Sequence, residues 1–307
     1  MKRILYYLCM ACLLVACQEN EEMWQGNDGT SEGTRVTVRF SPIQAYYGEV
    51  ASRGVDDVQG STIQELLYRL HYVLTDYEGN MLEHDTVTAE ELPGFTSLNL
   101  TLPLGTYHLY VLGEGLNEGF IHVNEEVQAI DSDSAVWFRN IRFQPVRREL
   151  FYAQHTFVVD GTEAGTSFSV ELQRQVGMVD LKVKCSDEHF DLLGVTLMIP
   201  DGYAGNTLSV DGKVAFDWSQ TNGTGYFWTK NIGYGNAPVN WEEEGSTYRT
   251  RFFMLPTLAD YEGEQAPWLM CTYLTGANGN LFNKEVSLKG LTIAPNQVTS
   301  ITLDLDK

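Results

Sequence analysis

The chain is poor in basic residues. It has 20 Lys and Arg against 41 Asp and Glu among 307 residues, which gives a net charge of −21. Affinity for nucleic acid comes mainly from cations that neutralise phosphates, so this balance argues against a nucleic-acid partner. For the same reason it argues against binding to anionic lipid through surface charge. A strongly acidic surface instead suits a protein that faces the exterior and is kept from aggregating by self-repulsion.

Motifs for catalysis and for cofactors are also missing from the sequence. It has no G-x-S-x-G nucleophile elbow, no phosphate-binding loop and no dinucleotide fingerprint. With 41 carboxylates some pair will lie close by chance, so proximity alone does not indicate a glycosidase. The histidines are isolated, with no pair at metal-ligand spacing: His71, His84, His108, His122, His155 and His189. We therefore predict a protein that is not an enzyme and that uses no metal or cofactor.

The N-terminus has the pattern of an export signal. Lys2 and Arg3 precede an apolar run that is shorter than the roughly 20 residues of a membrane-spanning helix. The stretch Leu14-Val15-Ala16-Cys17 resembles a bacterial lipobox. This resemblance implies that residues 1–16 are a lipoprotein signal peptide and that Cys17 is acylated. The alternative is an ordinary secretory signal with an incidental cysteine.

Residues 17–33 have the composition of a flexible acidic tether. Their first part, Gln18-Glu19-Asn20-Glu21-Glu22, resembles the export tag that follows the lipid-bearing cysteine in surface lipoproteins of Bacteroidota. A solvated linker is the alternative, and a linker can also carry such an address. The resemblance implies a surface-exposed protein held to the outer membrane by the lipid on Cys17. Loss of residues 1–16 removes two basic residues and no acidic one, so the net charge would fall from −21 to −23.

Apolar and polar residues alternate at period two through most of the remaining chain, which predicts strands and no long amphipathic helix. Val36-Thr37-Val38-Arg39-Phe40 is predicted to be one such strand. The alternating stretches at 98–102 and 107–111, joined by Pro103-Leu104-Gly105, predict a β-hairpin. Further tight turns are predicted at Asp211-Gly212 and at Asn278-Gly279-Asn280.

Short strands at intervals of roughly 8–12 residues, separated by turn residues, favour β-sandwiches. The Gly-rich segment at 161–165 is the best candidate for a boundary between two such units. The sequence thus predicts an all-β protein with two β-sandwich domains in tandem, at 34–162 and 163–307.

Two cysteines remain beyond the signal and the lipid site, Cys185 and Cys271. Each lies at a core-facing position of a predicted strand. Export permits a disulfide between them, whereas a free thiol at such a position packs as a small hydrophobe. The sequence leaves both alternatives open.

An aromatic cluster stands out in a Gly- and Asn-rich part of the second predicted domain. Its members either cap the sandwich core, the commoner fate of Trp and Phe, or lie exposed and stack against sugars. The second alternative would make the chain a surface glycan-binding lipoprotein. The residues are Trp218, Tyr226, Phe227, Trp228, Tyr234 and Trp241.

Four stretches together resemble the fimbrillin superfamily of Bacteroidota, which comprises fimbrial subunits and their anchors. They are the strand at 36–40 with its loop to Ser52-Arg53-Gly54, residues 63–79, residues 102–111, and residues 168–174 leading into 179–183. The resemblance implies transthyretin-like, Greek-key sandwiches and a non-enzymatic role in adhesion as a fimbrial subunit or anchor. Its implied partners are other fimbrial subunits and a ligand on a host or bacterial surface.

In stalk subunits of that superfamily, a trypsin-like protease cuts after an arginine beyond the first strand. A strand of the next subunit then fills the groove that opens, which is β-strand addition. Arg53 occupies the matching place, and we expect its loop to be accessible enough for cutting. Otherwise Arg53 is an exposed loop arginine and the protein is an anchor that keeps its first strand. Residues 301–305 have the alternation of a donor strand, and equally that of a final core strand.

Two short motifs resemble the acid–hydroxyl–apolar site of O-glycosylation in Bacteroidota. They are Asp85-Thr86-Val87 and Asp133-Ser134-Ala135. The resemblance implies that the hydroxyls of Thr86 and Ser134 carry glycans.

Overall fold

The computed structural model describes residues 33–41, 62–118, 136–139, 146–162, 165–218 and 241–307. Within these ranges the regular secondary structure is almost entirely β-strand. The exceptions there are a four-residue helix, α1 (Ile63–Leu66), and a 3-10 turn at Leu92–Gly94. The all-β class predicted from the period-two pattern is therefore confirmed.

The strands divide into an earlier and a later group. The described strands up to residue 174 are β1 (Thr34–Ser41), β2 (Leu67–Asp76), β3 (Met81–Val87), β4 (Leu98–Leu102), β5 (Gly105–Glu118), β6 (Val136–Arg139), β7 (Arg148–Val159), β8 (Thr166–Glu171) and β9 (Gln173–Arg174). Those that follow are β10 (Gly177–Lys184), β11 (Asp191–Met198), β12 (Thr207–Ser209), β13 (Val214–Ala215), β14 (Glu242–Glu244), β15 (Thr247–Met254), β16 (Trp268–Thr275), β17 (Asn280–Ser287) and β18 (Val298–Asp304).

Two sheets enclose a first hydrophobic core. One has the strand order β4-β1-β8 and the other the order β3-β2-β5-β7-β9. Successive side chains of a strand point to opposite faces, so Leu70, Tyr72 and Leu74 of β2 are buried in this core. Val73, between them, lies on the other face of the sheet and packs in a different cluster.

The connection between β4 and β5 is not the predicted hairpin. β4 pairs with β1, whereas β5 pairs with β2 and β7. Pro103 and Leu104 thus lead the chain from one sheet to the facing sheet, and Leu100 and Leu109 enter the same core from opposite sides. In a hairpin and in this arch alike, the apolar residues of both strands face one core. The alternation therefore does not distinguish them, and the hairpin prediction was wrong.

The strands just beyond the predicted boundary belong with the first core. β8 pairs in parallel with β1, and β9 pairs with β7. Val170 and Leu172 are buried among the residues of the first core. A domain boundary between residues 162 and 163 would place β1 and its parallel partner β8 in different domains. The number of domains stays a prediction.

A second core lies between the sheets β14-β15-β10-β18 and β11-β16-β17. Val179 and Leu181 of β10 and Phe252 of β15 are wholly buried there. The last strand, β18, pairs in parallel with β10 and buries Ile301 and Leu303 in the same core. The C-terminal alternation thus belongs to a core strand of this chain.

The two predicted tight turns are confirmed. β12 pairs with β13 across Asp211-Gly212, and β16 pairs with β17 across Asn278-Gly279. Gly212 and Gly279 have φ of 79° and 64°, a region that glycine enters without the steric cost of a Cβ.

A third cluster joins the two halves. Its buried residues come from both, and Phe253 of β15 and Trp137 of β6 are its largest wholly buried members. The backbone N–H of Val146 donates to the carbonyl of Phe253 at 2.8 Å. β6 pairs with β12 in a fifth sheet, of order β13-β12-β6, which combines strands from both halves. The first and second cores are therefore connected by a packed interior.

Candidate functional site

The first candidate feature is the position of β1 inside its sheet. It pairs antiparallel with β4, where Val36 is opposite Leu100, and parallel with β8, where Val38 is opposite Phe168. Both valines are fully buried in the first core. A strand with partners on both sides leaves two open strand edges if it is removed.

The outward side chains of β1 are tied to both neighbours. The Thr37 hydroxyl donates to the side-chain oxygen of Asn99 at 3.2 Å, and Arg39 donates to the Ser167 hydroxyl at 3.2 Å. On the inner side, Phe40 packs tilted against Phe95, with ring centroids 5.7 Å apart. Backbone pairing and side chains therefore both hold β1 in place.

Three of the predicted site residues, Cys17, Arg53 and Ser134, lie outside the described residues. So do Tyr226, Phe227, Trp228 and Tyr234 of the aromatic cluster. Among the described residues, no helix is long and apolar enough to cross a bilayer.

Thr86 lies half-buried in β3, at the edge of the five-stranded sheet. Its hydroxyl is 2.9 Å from Nδ1 of His71, its cross-strand neighbour. Nε2 of His71 is in turn 2.8 Å from Oε1 of the buried Glu114. In this structure the Thr86 hydroxyl thus belongs to a polar chain that runs into the sheet, and its glycosylation stays a prediction.

Cys185 and Cys271 are free, buried thiols in the second core. Burial raises the pKa of the Cys271 thiol to about 12. It also raises the pKa of Cys185, whose sulfur lies 3.5 Å from a carboxylate oxygen of Asp306. Of the two alternatives for this pair, the structure has the thiol form, in which both sulfurs pack as small apolar groups.

The second candidate feature is a cleft of about 1190 Å³ beside the second core. Trp218 lies at its wall with 65% of its surface exposed, and its ring meets Phe216 edge-on at 4.7 Å. Gly202 has φ of 78°, and a Cβ there would come within 2.8 Å of the Trp218 ring. Glycine is therefore needed at this position both for the turn and for the approach of the indole.

The cleft also carries polar groups. Oδ1 of Asp201 is shielded from solvent and has no hydrogen-bond partner in the part of the chain that the structure describes. Burial raises the pKa of this carboxyl. The Tyr261 hydroxyl donates to the carbonyl of Gln265 at 2.9 Å, and its ring packs on Tyr203 at 5.0 Å.

The charged residues of the cleft are mostly acidic. Besides Asp201 they are Asp260, Glu262, Glu264 and the single lysine Lys213. Over the described ranges, no three His, Cys, Asp or Glu residues stand close enough to hold a metal ion.

The aromatic cluster divides between the two alternatives. Trp241 is half-buried against the second core, as is Phe216, so the capping interpretation holds for Trp241. Trp218 is exposed and lines the cleft. Asp201 and Tyr261 were not predicted as site residues, because no pattern in the chain brings residues 201, 218 and 261 together.

Comparison with known proteins establishes the fold. No family model and no curated protein matches this sequence. A solved structure of a candidate polysaccharide-binding protein from Bacteroides thetaiotaomicron is similar at a TM-score of 0.51, with 13% identity, over 88% of this chain and 90% of that one. At that identity the likeness shows a shared all-β sandwich fold.

Two further similar structures have TM-scores below 0.5. One is a candidate adhesin from Bacteroides thetaiotaomicron, at 0.49 and 12% identity over 89% of this chain and 93% of that one. The other is the fimbrial anchor protein Mfa2 from Porphyromonas gingivalis, at 0.44 and 14% identity over 87% and 90%.

Proposed function

We propose that this chain is a non-enzymatic surface lipoprotein of the fimbrillin type, a fimbrial subunit or fimbrial anchor in adhesion. The observation that carries the proposal is the place of β1, an N-terminal strand that fills the gap between β4 and β8. The names of the similar structures, candidate adhesins and a fimbrial anchor among them, support the same role at the cell surface.

This placement supports assembly by β-strand addition. Neighbouring strands lie about 4.8 Å apart, so loss of β1 would leave β4 and β8 separated by roughly 10 Å, the width that one strand fills. An incoming strand would form main-chain hydrogen bonds with both edges and place apolar side chains where Val36 and Val38 lie. A segment that alternates apolar and polar residues meets this requirement.

Proteolytic cleavage after Arg53 is the step that would release β1. It comes 12 residues after Ser41, the last residue of β1, and 10 residues before Ile63, the first residue of α1. Cleavage after Arg53 would leave β1 held only by non-covalent contacts. A stalk subunit would lose the strand at this point, whereas an anchor would keep it.

Trypsin digestion of the purified chain, followed by N-terminal sequencing and sizing, tests this step. We expect the wild type and Arg39→Ala to be cut after Arg53 and to form SDS-resistant oligomers. The Arg53→Ala variant should keep β1 and stay monomeric. Oligomers from uncut Arg53→Ala, or a cut wild type that stays monomeric, would overturn assembly by exchange of β1. An intact wild type that caps purified fimbrial subunits would identify an anchor.

Lipid attachment is tested separately in a bacterial host. Labelled palmitate should enter the wild type and a Cys12→Ala variant, because Cys12 lies inside the predicted signal. It should not enter Cys17→Ala, which lacks the acceptor thiol. Equal labelling of Cys17→Ala would contradict the lipoprotein assignment.

A surface glycan-binding lipoprotein is the second candidate. The position of Trp218 at the wall of the cleft favours it, because ligand sites are concave and are commonly lined by aromatic side chains. The name of the Bacteroides thetaiotaomicron structure, a candidate polysaccharide-binding protein, points in the same direction.

A further inference from the structure

Two arginines lie on the solvent side of β1, in a protein whose net charge is −21. Arg35 and Arg39 are both exposed, whereas Val36 and Val38 between them are buried in the first core. Residues that are four positions apart in a strand lie on the same face, about 13 Å from each other. The two arginines therefore stand in one line along the middle strand of the sheet β4-β1-β8.

Neither arginine pairs with a carboxylate in the part of the chain that the structure describes. There, Arg39 donates to the Ser167 hydroxyl at 3.2 Å, and the side chain of Arg35 forms no hydrogen bond or ion pair. By contrast, Arg249 is held by the carboxylate of Asp180 at 2.6 Å. The positive charges of Arg35 and Arg39 are thus not neutralised within the described fold.

The rest of this side of the sheet is polar and exposed. It carries one amide and three hydroxyl groups, from Asn99 and Thr101 of β4 and from Ser167 and Ser169 of β8. Such groups both donate and accept hydrogen bonds. In the sequences of β1, β4 and β8 the single carboxylate is Glu171, at the end of β8. We call this surface, with its two cations, the arginine face.

The arginine face restricts the chemistry of its ligand. Guanidinium groups bind sulfate, phosphate and carboxylate oxygens through paired hydrogen bonds. One small anion cannot bridge two arginines about 13 Å apart, so the ligand carries anionic groups repeated along its length. At physiological ionic strength, charges farther than about 8 Å away are largely screened, so the acidic remainder of the chain opposes such a ligand only weakly.

The flat geometry favours a polysaccharide over a polypeptide. An extended peptide binds to an open strand edge through its main chain, and side-chain pockets supply the specificity. The arginine face is instead the surface of a sheet and presents side chains alone. Sugar hydroxyls can bond to its amide and hydroxyl groups while the anionic groups meet the two arginines.

We infer that the arginine face binds a linear anionic polysaccharide along β1, with Arg35 and Arg39 each contacting one anionic group. Both arginines belong to β1, so this ligand requires that β1 is in place. A ligand that binds one form of a protein stabilises that form. The polysaccharide therefore opposes the exchange of β1. This consequence rests on the proposed assembly, whereas the binding itself does not.

Binding is measured by calorimetry on the uncut chain at physiological ionic strength. The anionic polysaccharides are dextran sulfate and polygalacturonate, and uncharged dextran is the control. Poly-L-glutamate and vesicles of phosphatidylglycerol represent an acidic polypeptide and an anionic membrane. We expect at least one anionic polysaccharide to bind and the other three probes to fail. Inorganic sulfate should compete poorly, because each ion engages one arginine only.

Variants locate the site. Arg35→Ala and Arg39→Ala should each weaken binding about tenfold, because each removes a charged hydrogen-bond donor. Arg35→Lys, which keeps the charge, should recover part of the loss. Glu171→Gln should strengthen binding, because it removes the carboxylate at the end of the arginine face. The matched control is Lys289→Ala, which removes an exposed cation between β17 and β18 and changes the net charge equally. Thermal unfolding of each variant checks that the fold is kept.

The effect on β1 is measured after cleavage. The chain is cut with trypsin, the protease is inhibited, and the polysaccharide that binds is then added. At a concentration ten times its Kd, it should slow the formation of SDS-resistant oligomers about tenfold. A variant with both Arg35→Ala and Arg39→Ala should form oligomers at the same rate with and without the polymer.

Three results would overturn the site: no binding of either anionic polysaccharide, tighter binding of polyglutamate or vesicles, or equal weakening by Lys289→Ala and Arg35→Ala. Binding that leaves the rate of oligomer formation unchanged would overturn the stabilisation of β1. A chain that binds the polymer but forms no oligomers after cleavage would support the site and contradict assembly by exchange. Failure of the site is therefore distinguishable from failure of the fimbrial role.

Discussion

Asp180 is an almost fully buried carboxylate with three cationic side chains around it. Its side chain is 1% exposed and forms a two-pronged pair with Arg249, at 2.6 Å from Nε and 2.8 Å from Nη2. Lys182 and Arg251 each lie 3.6 Å from it. Burial opposes ionisation, but the hydrogen bonds and charge of Arg249, with help from the other two cations, hold the pKa of Asp180 below its usual value.

We predict that Asp180→Asn lowers the free energy of unfolding at pH 7 by about 3 kcal/mol, because it leaves buried cations without their carboxylate. A carboxyl with a lowered folded pKa stabilises the fold above its ordinary pKa and loses that effect as the pH falls through the folded value. The difference between variant and wild type should therefore shrink below about pH 4. Urea unfolding at pH 7, 5, 4 and 3 measures it.

The control for this prediction is Glu171→Gln, which removes an exposed carboxylate from β8. It should change stability by less than about 0.5 kcal/mol at every pH. A difference for Asp180→Asn that stays constant down to pH 3 would show that its charge does not stabilise the fold.

At the scale of strands and turns, much of the structure follows from local pattern. Apolar alternation identifies β2 and β4, and Asp-Gly or Asn-Gly pairs identify the hairpin turns, because these signals depend on neighbours in the chain. The choice between hairpin and arch at Pro103-Leu104 depends on which distant strand pairs with β4. No local pattern contains that information, so the prediction failed there.

The pairing of β1 with β8 also could not be predicted from local sequence pattern. The two strands are more than 120 residues apart, and their parallel register joins Val36 to Thr166. From the sequence, each is a strand with one apolar face, and the glycines between β7 and β8 favoured a boundary there. The cleft residues Asp201, Trp218 and Tyr261 likewise come from separate parts of the chain, so no local pattern groups them.

Across the whole molecule, the third cluster connects the two main cores. Adjacent residues of β15 belong to different clusters, since Phe252 lies in the second core and Phe253 in the third, both without solvent contact. The third cluster includes Leu112 and Leu150 from the first half and Met178 from the second. Because this junction is apolar and well packed, we expect the two halves to unfold together.

This arrangement predicts different results for two neighbouring substitutions. Phe253→Ala and Phe252→Ala each remove a wholly buried ring and should each cost about 3–5 kcal/mol. Phe253→Ala weakens the junction itself, so its unfolding should separate into two calorimetric transitions. Phe252→Ala weakens the second core but leaves the junction packed, so it should keep the single transition expected of the wild type, at a lower temperature. A single transition in Phe253→Ala together with two in Phe252→Ala would mean that the halves are coupled elsewhere than through the third cluster.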